Sequence, residues 1–98
     1  MAFIVDIKVK TRIPGKSWDV TGKYLNDDPI LLGTVIYNDR DPRDDRWVPY
    51  AINGNHPLTW CPTKTKAVKF CATELLEHFD EVECRWGKQA WNLKKIGS

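Results

Sequence analysis

The sequence predicts an α+β domain in which an antiparallel sheet of three to five strands carries one main amphipathic helix across one face. Three observations predict this class. Strand-like segments fill the first half of the chain, an Asn-Gly pair at 53–54 is typical of a tight hairpin turn, and a capped helical pattern follows directly. The 98 residues are therefore expected to form one domain, strand-rich over 1–61, helical over 64–79 and closed by a C-terminal strand or tail over 82–98.

The early strands are predicted from alternation and from β-forming composition. Val5, Ile7 and Val9 alternate with charged residues, which gives this segment one apolar and one polar face. Residues 30–37, ILLGTVIY, are rich in β-formers and indicate a central strand. Residues 18–25 indicate a second, weaker strand or an irregular excursion.

A hairpin is predicted over residues 46–61. Its outgoing strand spans 46–52, its returning strand spans 58–61, and Pro57 limits that second strand to a short or edge position. The preceding segment 38–45 is acidic, but arginines lie among its aspartates and its spacing does not match a calcium-binding loop. We therefore expect a hairpin loop there and no cation site.

The helix is predicted from an apolar stripe. When residues are projected at about 100° per position, the stripe consists of Val68, Cys71, Ala72, Leu75, Leu76 and Phe79. Thr63 is the predicted N-cap, because its hydroxyl can accept a hydrogen bond from an unpaired backbone N–H in the first turn. Phe70 lies on the polar face instead. Either the C-terminal segment folds back and buries it, or Phe70 is an anchor in a binding surface.

Composition limits the class of protein and its partners. The 15 basic and 13 acidic residues give a formal charge of +2, far from the strongly basic balance typical of proteins that bind phosphate backbones. The three cysteines are odd in number and form no Cys-x-x-Cys pair, so no disulfide framework is expected. No apolar run approaches the ~18 residues of a membrane span and no secretion signal is recognised, so we expect a cytoplasmic protein.

Recognised catalytic motifs are absent from the sequence. It contains no Gly-rich phosphate loop, no Gly-x-Ser-x-Gly elbow and no His-Glu-x-x-His helix. His56 and Cys61 could pair across the hairpin, but a thiol between Trp60 and Pro62 is more typical of a small core side chain. The cysteines and histidines also lack the spacing of a zinc site. We expect a binding domain that is not an enzyme and has no metal or cofactor.

Two hypotheses for function follow, of which the first is favoured. In the first, the start of the helix binds nucleic acid, because lysines and the helix dipole both attract phosphates there, and the aromatic hairpin supplies further contacts; the predicted residues are Lys64, Lys66, Lys69, Arg46 and Trp47. In the alternative, the chain is a protein-interaction module, such as a small phage or mobile-element inhibitor or adaptor of a host protein, with contacts from Phe70, Trp86 and Trp91. A sheet edge could also pair with a second copy.

The helix start also carries a family resemblance. Residues 63–72, TKTKAVKFCA, resemble the lysine-rich helix start of double-stranded RNA-binding domains. In that family the helix follows a three-stranded antiparallel sheet and contacts phosphates across a groove, so the resemblance implies phosphate contacts by Lys64, Lys66 and Lys69. This chain departs from the family because a strand is predicted where those domains begin with a helix.

Overall fold

The computed structural model describes residues 3–39, 46–52 and 57–96, which contain six strands, one α-helix and one 3-10 helix. In chain order the elements are β1 (Phe3–Ile13), β2 (Ser17–Tyr24), β3 (Ile30–Tyr37), β4 (Trp47–Tyr50), α1 (Lys64–Ala72), the 3-10 helix (Thr73–Glu77), β5 (Glu81–Trp86) and β6 (Gln89–Lys94). The predicted α+β class is confirmed. The predicted turn at 53–54, His56 and the acidic residues 40–45 lie outside the described part of the chain.

The six strands of the described residues form one sheet in the order β4-β3-β2-β1-β5-β6. Neighbouring strands are antiparallel except β1 and β5, which run parallel. The predicted sheet of three to five antiparallel strands is therefore too small and lacks the parallel pair. The helix explains the difference, because it carries the chain across the sheet from β4 to the far side of β1, where β5 enters in the same direction as β1. The predicted C-terminal strand or tail is a two-stranded extension of the sheet.

The faces of the sheet follow from the alternation in β1. Val5 and Ile7 are buried on the face that carries α1, which we call the inner face. Asp6 and Lys8 are exposed on the opposite, outer face. The weak pattern at 18–25 corresponds to β2, a regular strand of eight residues, and not to an irregular excursion.

The α-helix is capped as predicted but is shorter than predicted. The Thr63 hydroxyl accepts a hydrogen bond from the Lys66 N–H at 3.2 Å, as expected for an N-cap. The predicted helix over 64–79 ends as an α-helix at Ala72. Within the described residues no helix combines the length and the apolar character needed to cross a membrane.

The change in helix type begins at Thr73. Its hydroxyl donates to the Phe70 carbonyl at 2.6 Å, a local side-chain bond that competes with regular α-helical pairing, and the next turns are 3-10. Leu75 is nevertheless fully buried, and Leu76 and Phe79 pack against the core. The predicted apolar stripe therefore faces the sheet even though the helical winding changes.

The core lies between α1 and the inner face of the sheet. Its buried members come from four strands, from both helices and from the segment before α1: Val5, Ile7, Val20, Leu32, Val35, Cys61, Ala67, Val68, Cys71, Ala72, Leu75, Val82 and Cys84. At one end, the rings of Phe3, Tyr24 and Phe79 lie with their centroids 5.1 to 5.5 Å apart. These aromatic contacts close the core where the helix meets β5.

The helix approaches β3 closely because Gly33 has no side chain. A Cβ atom there would lie 2.5 Å from the Tyr50 carbonyl oxygen and 3.0 Å from Cys71 Sγ. A bulge in β3 leaves Leu32 without a direct partner on β2, and both Leu32 and Gly33 are buried. The bulge thus places the large side chain of Leu32 and the glycine at position 33 on the face where α1 packs.

Residues 57–61 run along the outer edge of β4. In place of the predicted returning strand at 58–61 there are two isolated bridges, Trp47 with Cys61 and Tyr50 with Pro57. The backbones of Trp47 and Cys61 exchange two hydrogen bonds, of 2.8 and 3.0 Å. This segment covers the β4 edge of the sheet and leads directly into the helix.

Candidate functional site

A groove beside α1 gathers four of the predicted site residues, Lys66, Lys69, Phe70 and Trp91. It has a volume of about 520 Å³ and lies between the segment before the helix, the outward side of the helix and β6. We call it the aromatic groove; its walls are formed by Thr59, Trp60, Cys61, Pro62, Lys66, Lys69, Phe70, Thr73, Trp91 and Leu93. None of these described wall residues is acidic, so the formal charge of the groove is positive.

The helix sets the spacing of the side chains along the groove. Lys66 and Phe70 are four positions apart and Thr73 follows three positions later, so the three lie on one side of the helix. The first turn of α1 contains no acidic residue, and the Thr63 cap fixes where the helix begins. Positive lysine charge and the positive end of the helix dipole therefore lie close together.

Phe70 is exposed rather than covered. Its residue exposure is 42%, although Trp91 from the C-terminal hairpin lines the same groove. The expectation that the C-terminal segment folds back and buries Phe70 is therefore wrong. The segment instead forms β5 and β6, because regular pairing with β1 satisfies its backbone, and it leaves the ring at the wall of an open groove.

Lys69 and Trp91 form the contact that joins the helix to β6. The Lys69 ammonium lies 5.2 Å from the centroid of the Trp91 ring, within cation-π range. The Trp91 ring N–H is buried and has no acceptor among the described residues. The lysine head is thus held over an indole at the groove, next to a donor whose hydrogen bond is unmet within this part of the chain.

The other predicted nucleic-acid residues lie in a second aromatic cluster. Lys64 Nζ is 4.4 Å from the centroid of the Trp18 ring, and the Trp47 ring packs on Trp18 and on Tyr37 with centroid distances of 5.3 and 4.8 Å. Trp47 is half-buried in this stack. The structure therefore places Lys64 and the predicted Trp47 in one packed cluster, where both contact Trp18, and not in the walls of the aromatic groove.

Arg46 and Trp86 do not line the groove either. Arg46 is half-buried just before β4, where its carbonyl accepts the Asn38 N–H at 2.7 Å. Trp86 is half-buried at the end of β5, paired with Gln89 across the Gly87 turn and packed against the core. The five predicted nucleic-acid residues and three predicted partner residues are thus divided between the groove, the Trp18 cluster, the start of β4 and the β5 turn.

Six of the ten wall residues were not predicted from the sequence, and the two with the largest apolar side chains are Trp60 and Leu93. Trp60 is 44% exposed and stands immediately before Cys61, in the segment that covers β4. Its proximity to the Thr63 cap, three positions later, is the signal that could have placed it beside the helix start. Leu93 reaches the groove because β6 pairs with β5, and no local sequence pattern predicts that pairing.

The basic residues of the N-terminal strands lie on the outer face, away from the groove. In the β1–β2 ladder Lys10 faces Asp19 and Asp6 faces Lys23, and Arg12 lies 4.0 Å from Asp19. Asp19 is shared between Lys10 and Arg12, and Lys8 faces the neutral Thr21, so the outer face of β1 and β2 keeps a net positive charge. The folding of separated basic segments into one continuous patch, which the charge pattern left open, does not occur between β1 and α1.

A second concavity, of about 640 Å³, lies near the end of β3 and β4. Tyr37, Tyr50 and Trp60 contribute to its wall, together with Lys16 and Asp39. A lysine and an aspartate of opposite charge make this concavity electrically neutral at neutral pH. It lacks the one-sided charge of the aromatic groove.

The cysteines are buried free thiols. Burial raises the pKa of Cys71 to about 12, with a smaller contribution from neighbouring Cys61, and burial raises the pKa of Cys84 to about 11. Thiols with such pKa values are poor nucleophiles at neutral pH. Among the described residues, no cluster of three or more His, Cys, Asp or Glu side chains is arranged to hold a metal ion.

Comparison with known proteins gives no relative: no family model, no curated protein and no solved structure matches this chain significantly. The architecture also differs from what the resemblance to double-stranded RNA-binding domains implies, because the described chain begins with β1 and its sheet has six strands. The groove must therefore be interpreted from its own chemistry.

Proposed function

We propose that this chain binds single-stranded nucleic acid in the aromatic groove. The observation that carries the proposal is the joint presence of two lysines and three aromatic side chains, Trp60, Phe70 and Trp91, in a groove whose described wall residues include no acidic side chain. Proteins that bind single strands combine positive charge, which attracts the backbone, with aromatic rings on which bases stack. The helix start adds the favourable end of its dipole for a phosphate.

The exposed rings favour a single strand over a duplex. Phe70 and Trp60 are 42% and 44% exposed, and a ring can stack only on a base that is already free of its duplex neighbours. A duplex would have to be held mainly by phosphate contacts, for which the net charge of +2 provides little support. The proposed binding therefore depends more on exposed aromatic surface than on the number of positive charges.

The lysine contribution can be tested with a double variant, Lys66→Gln with Lys69→Gln. A matched control, Lys8→Gln with Lys10→Gln, removes the same charge from the outer face. Fluorescence anisotropy with labelled single- and double-stranded DNA and RNA at 50 and 200 mM salt measures the affinity. We expect saturable binding of a single strand, weakened about tenfold or more by the groove variant and much less by the control.

Salt dependence identifies the mechanism. Each lysine-phosphate contact to a single strand adds about 0.7 to the slope of log affinity against log salt, so the groove variant should lose up to about 1.4 of that slope. If the groove variant and the outer-face control lose equal affinity and equal salt slope, the binding is due only to non-specific charge attraction. If none of the four nucleic acids binds to a folded protein, the proposal is wrong and a protein partner for the groove becomes the hypothesis to pursue.

A further inference from the structure

The two edges of the sheet are protected to different degrees. The β4 edge is covered by residues 57–61, which bridge to Trp47 and Tyr50 and donate the Leu58 N–H to the Pro49 carbonyl at 2.9 Å. The β6 edge is the other end of the strand order, and no segment of residues 3–39, 46–52 or 57–96 pairs with its outer side. A strand with an unpaired edge presents a template for another strand.

The register of the β5–β6 hairpin shows which backbone groups face outward. The Lys95 N–H donates to the Asp80 carbonyl at 2.9 Å, which continues the ladder between the two strands. Because backbone direction alternates along an antiparallel strand, the even-numbered residues of β6 point their N–H and C=O groups away from β5. These residues are Ala90, Asn92 and Lys94, and all three are exposed.

We propose that β6 pairs antiparallel with β6 of a second copy, about a two-fold axis at Asn92. In this register Asn92 lies opposite Asn92 of the second copy and Ala90 lies opposite its Lys94, so all three outward-facing residues of each strand take part. The two sheets join into one. This proposal does not depend on the proposed function, because it rests on the backbone of the edge strand and not on a ligand.

Side chains favour this register over its neighbours. On the inner face it places Trp91 opposite Leu93 of the second copy, an aromatic-aliphatic pair of the kind that stabilises antiparallel strands. A register centred on Trp91 would instead set Lys88 against the second copy's Lys94, two like charges. A register centred on Leu93 would place Trp91 opposite a lysine of the second copy. It would also leave Ala90 without a partner among the outward-facing residues.

The dimer would also bring two aromatic grooves together. Trp91 and Leu93 line the groove of each copy, and in the proposed register they face each other across the two-fold axis. The grooves would therefore meet at the joined edge and form one longer surface.

Asn92→Lys provides a test that spares the monomer. Within one copy Asn92 faces Glu83 on β5, so a lysine there gains an opposite charge as neighbour. Across the two-fold axis it would face a second lysine. In the absence of nucleic acid, we expect light scattering over about 10 to 200 μM to show a dimer for the natural protein, a dimer for the neutral control Asn92→Thr, and at least about a tenfold weaker dimer for Asn92→Lys.

Cross-linking tests the register itself. Opposed hydrogen-bonded residues of antiparallel strands have Cα atoms about 5.5 Å apart, within disulfide range, so Asn92→Cys should form a covalent dimer on mild oxidation. The same change at the outer-face position Thr21, distant from β6, should not. A natural protein that is monomeric at 200 μM, or an Asn92→Lys variant as dimeric as the natural protein, overturns the proposal whether or not nucleic acid binds.

Discussion

The two sides of α1 differ in burial: one side packs against the sheet, and the other is exposed in the groove that we propose binds a ligand. The inward side holds Ala67, Val68, Cys71 and Ala72, which are at most 1% exposed and contact the sheet where Gly33 leaves room. The outward side holds Lys66, Lys69 and Phe70, and Phe70 is 42% exposed. Residues that differ by only one or two positions thus have opposite roles. The comparison suggests that stability and binding can be changed separately.

The largest expected effect comes from truncating a matched pair, Leu75→Ala on the buried side and Phe70→Ala on the outward side. Leu75 is fully buried, so its loss should lower the free energy of unfolding by about 2 to 5 kcal/mol. Phe70→Ala should lower it by less than about 1 kcal/mol and weaken binding in the groove. Urea unfolding followed by circular dichroism measures both. Equal losses of stability would show that Phe70 is a core residue.

The next prediction tests the close approach between α1 and β3 at Gly33. Gly33→Ala would place a Cβ atom 2.5 Å from the Tyr50 carbonyl oxygen, and backbone must move to relieve the clash. We expect a loss of about 1 to 3 kcal/mol in the free energy of unfolding.

Gly22→Ala is the matched control for this substitution. Its Cβ would meet only side-chain atoms, Val5 Cγ1 at 3.0 Å and Leu32 Cδ1 at 3.1 Å, which can shift more easily. Thermal and urea unfolding of both variants should therefore give the smaller loss for Gly22→Ala. A larger loss of stability for Gly22→Ala than for Gly33→Ala would contradict the inference that α1 packs closely on β3 because Gly33 has no side chain.

The last effect concerns two buried thiols, Cys71 on the inward side of α1 and Cys84 on β5. Their folded pKa values, about 12 for Cys71 and about 11 for Cys84, lie above the ordinary value of 9.0. Below pH 9 the thiols are neutral in both states and their contribution is complete. As pH rises from about 9 towards 11, the unfolded thiols ionise first, so the contribution is lost by up to about 1.4 kcal/mol per pH unit for each thiol.

This pH dependence can be isolated by substitution. Urea unfolding of the reduced protein at several pH values between 8 and 11, compared with Cys84→Ala, separates the thiol from lysine and tyrosine titration. The variant should lose less stability per pH unit than the natural protein. Identical slopes would mean that Cys84 is not shielded from water.

Local sequence patterns predicted the parts of this fold that local forces determine. The alternation of Val5 and Ile7, the β-rich segment 30–37 and the Thr63 cap all correspond to the observed elements, because each depends on neighbouring residues. Local patterns could not predict the number of strands in the sheet, since the β1–β5 pairing joins segments that are distant in the sequence. The same reason explains the site. Lys66, Lys69 and Phe70 share a helix and were each predicted as site residues, although for two different functions, whereas Trp60 and Leu93 enter the groove from separate segments.

The parallel pairing of β1 with β5 has a consequence for how the chain acquires its structure in time. Phe3 pairs with Val82, which follows 79 positions later, while β1 to β4 form successive antiparallel neighbours. A nascent chain can therefore assemble the β1–β4 meander from local contacts, but one side of β1 stays unpaired until β5 has been synthesised. During that interval β1 is a temporary sheet edge, and it is closed only after β5 has left the ribosome.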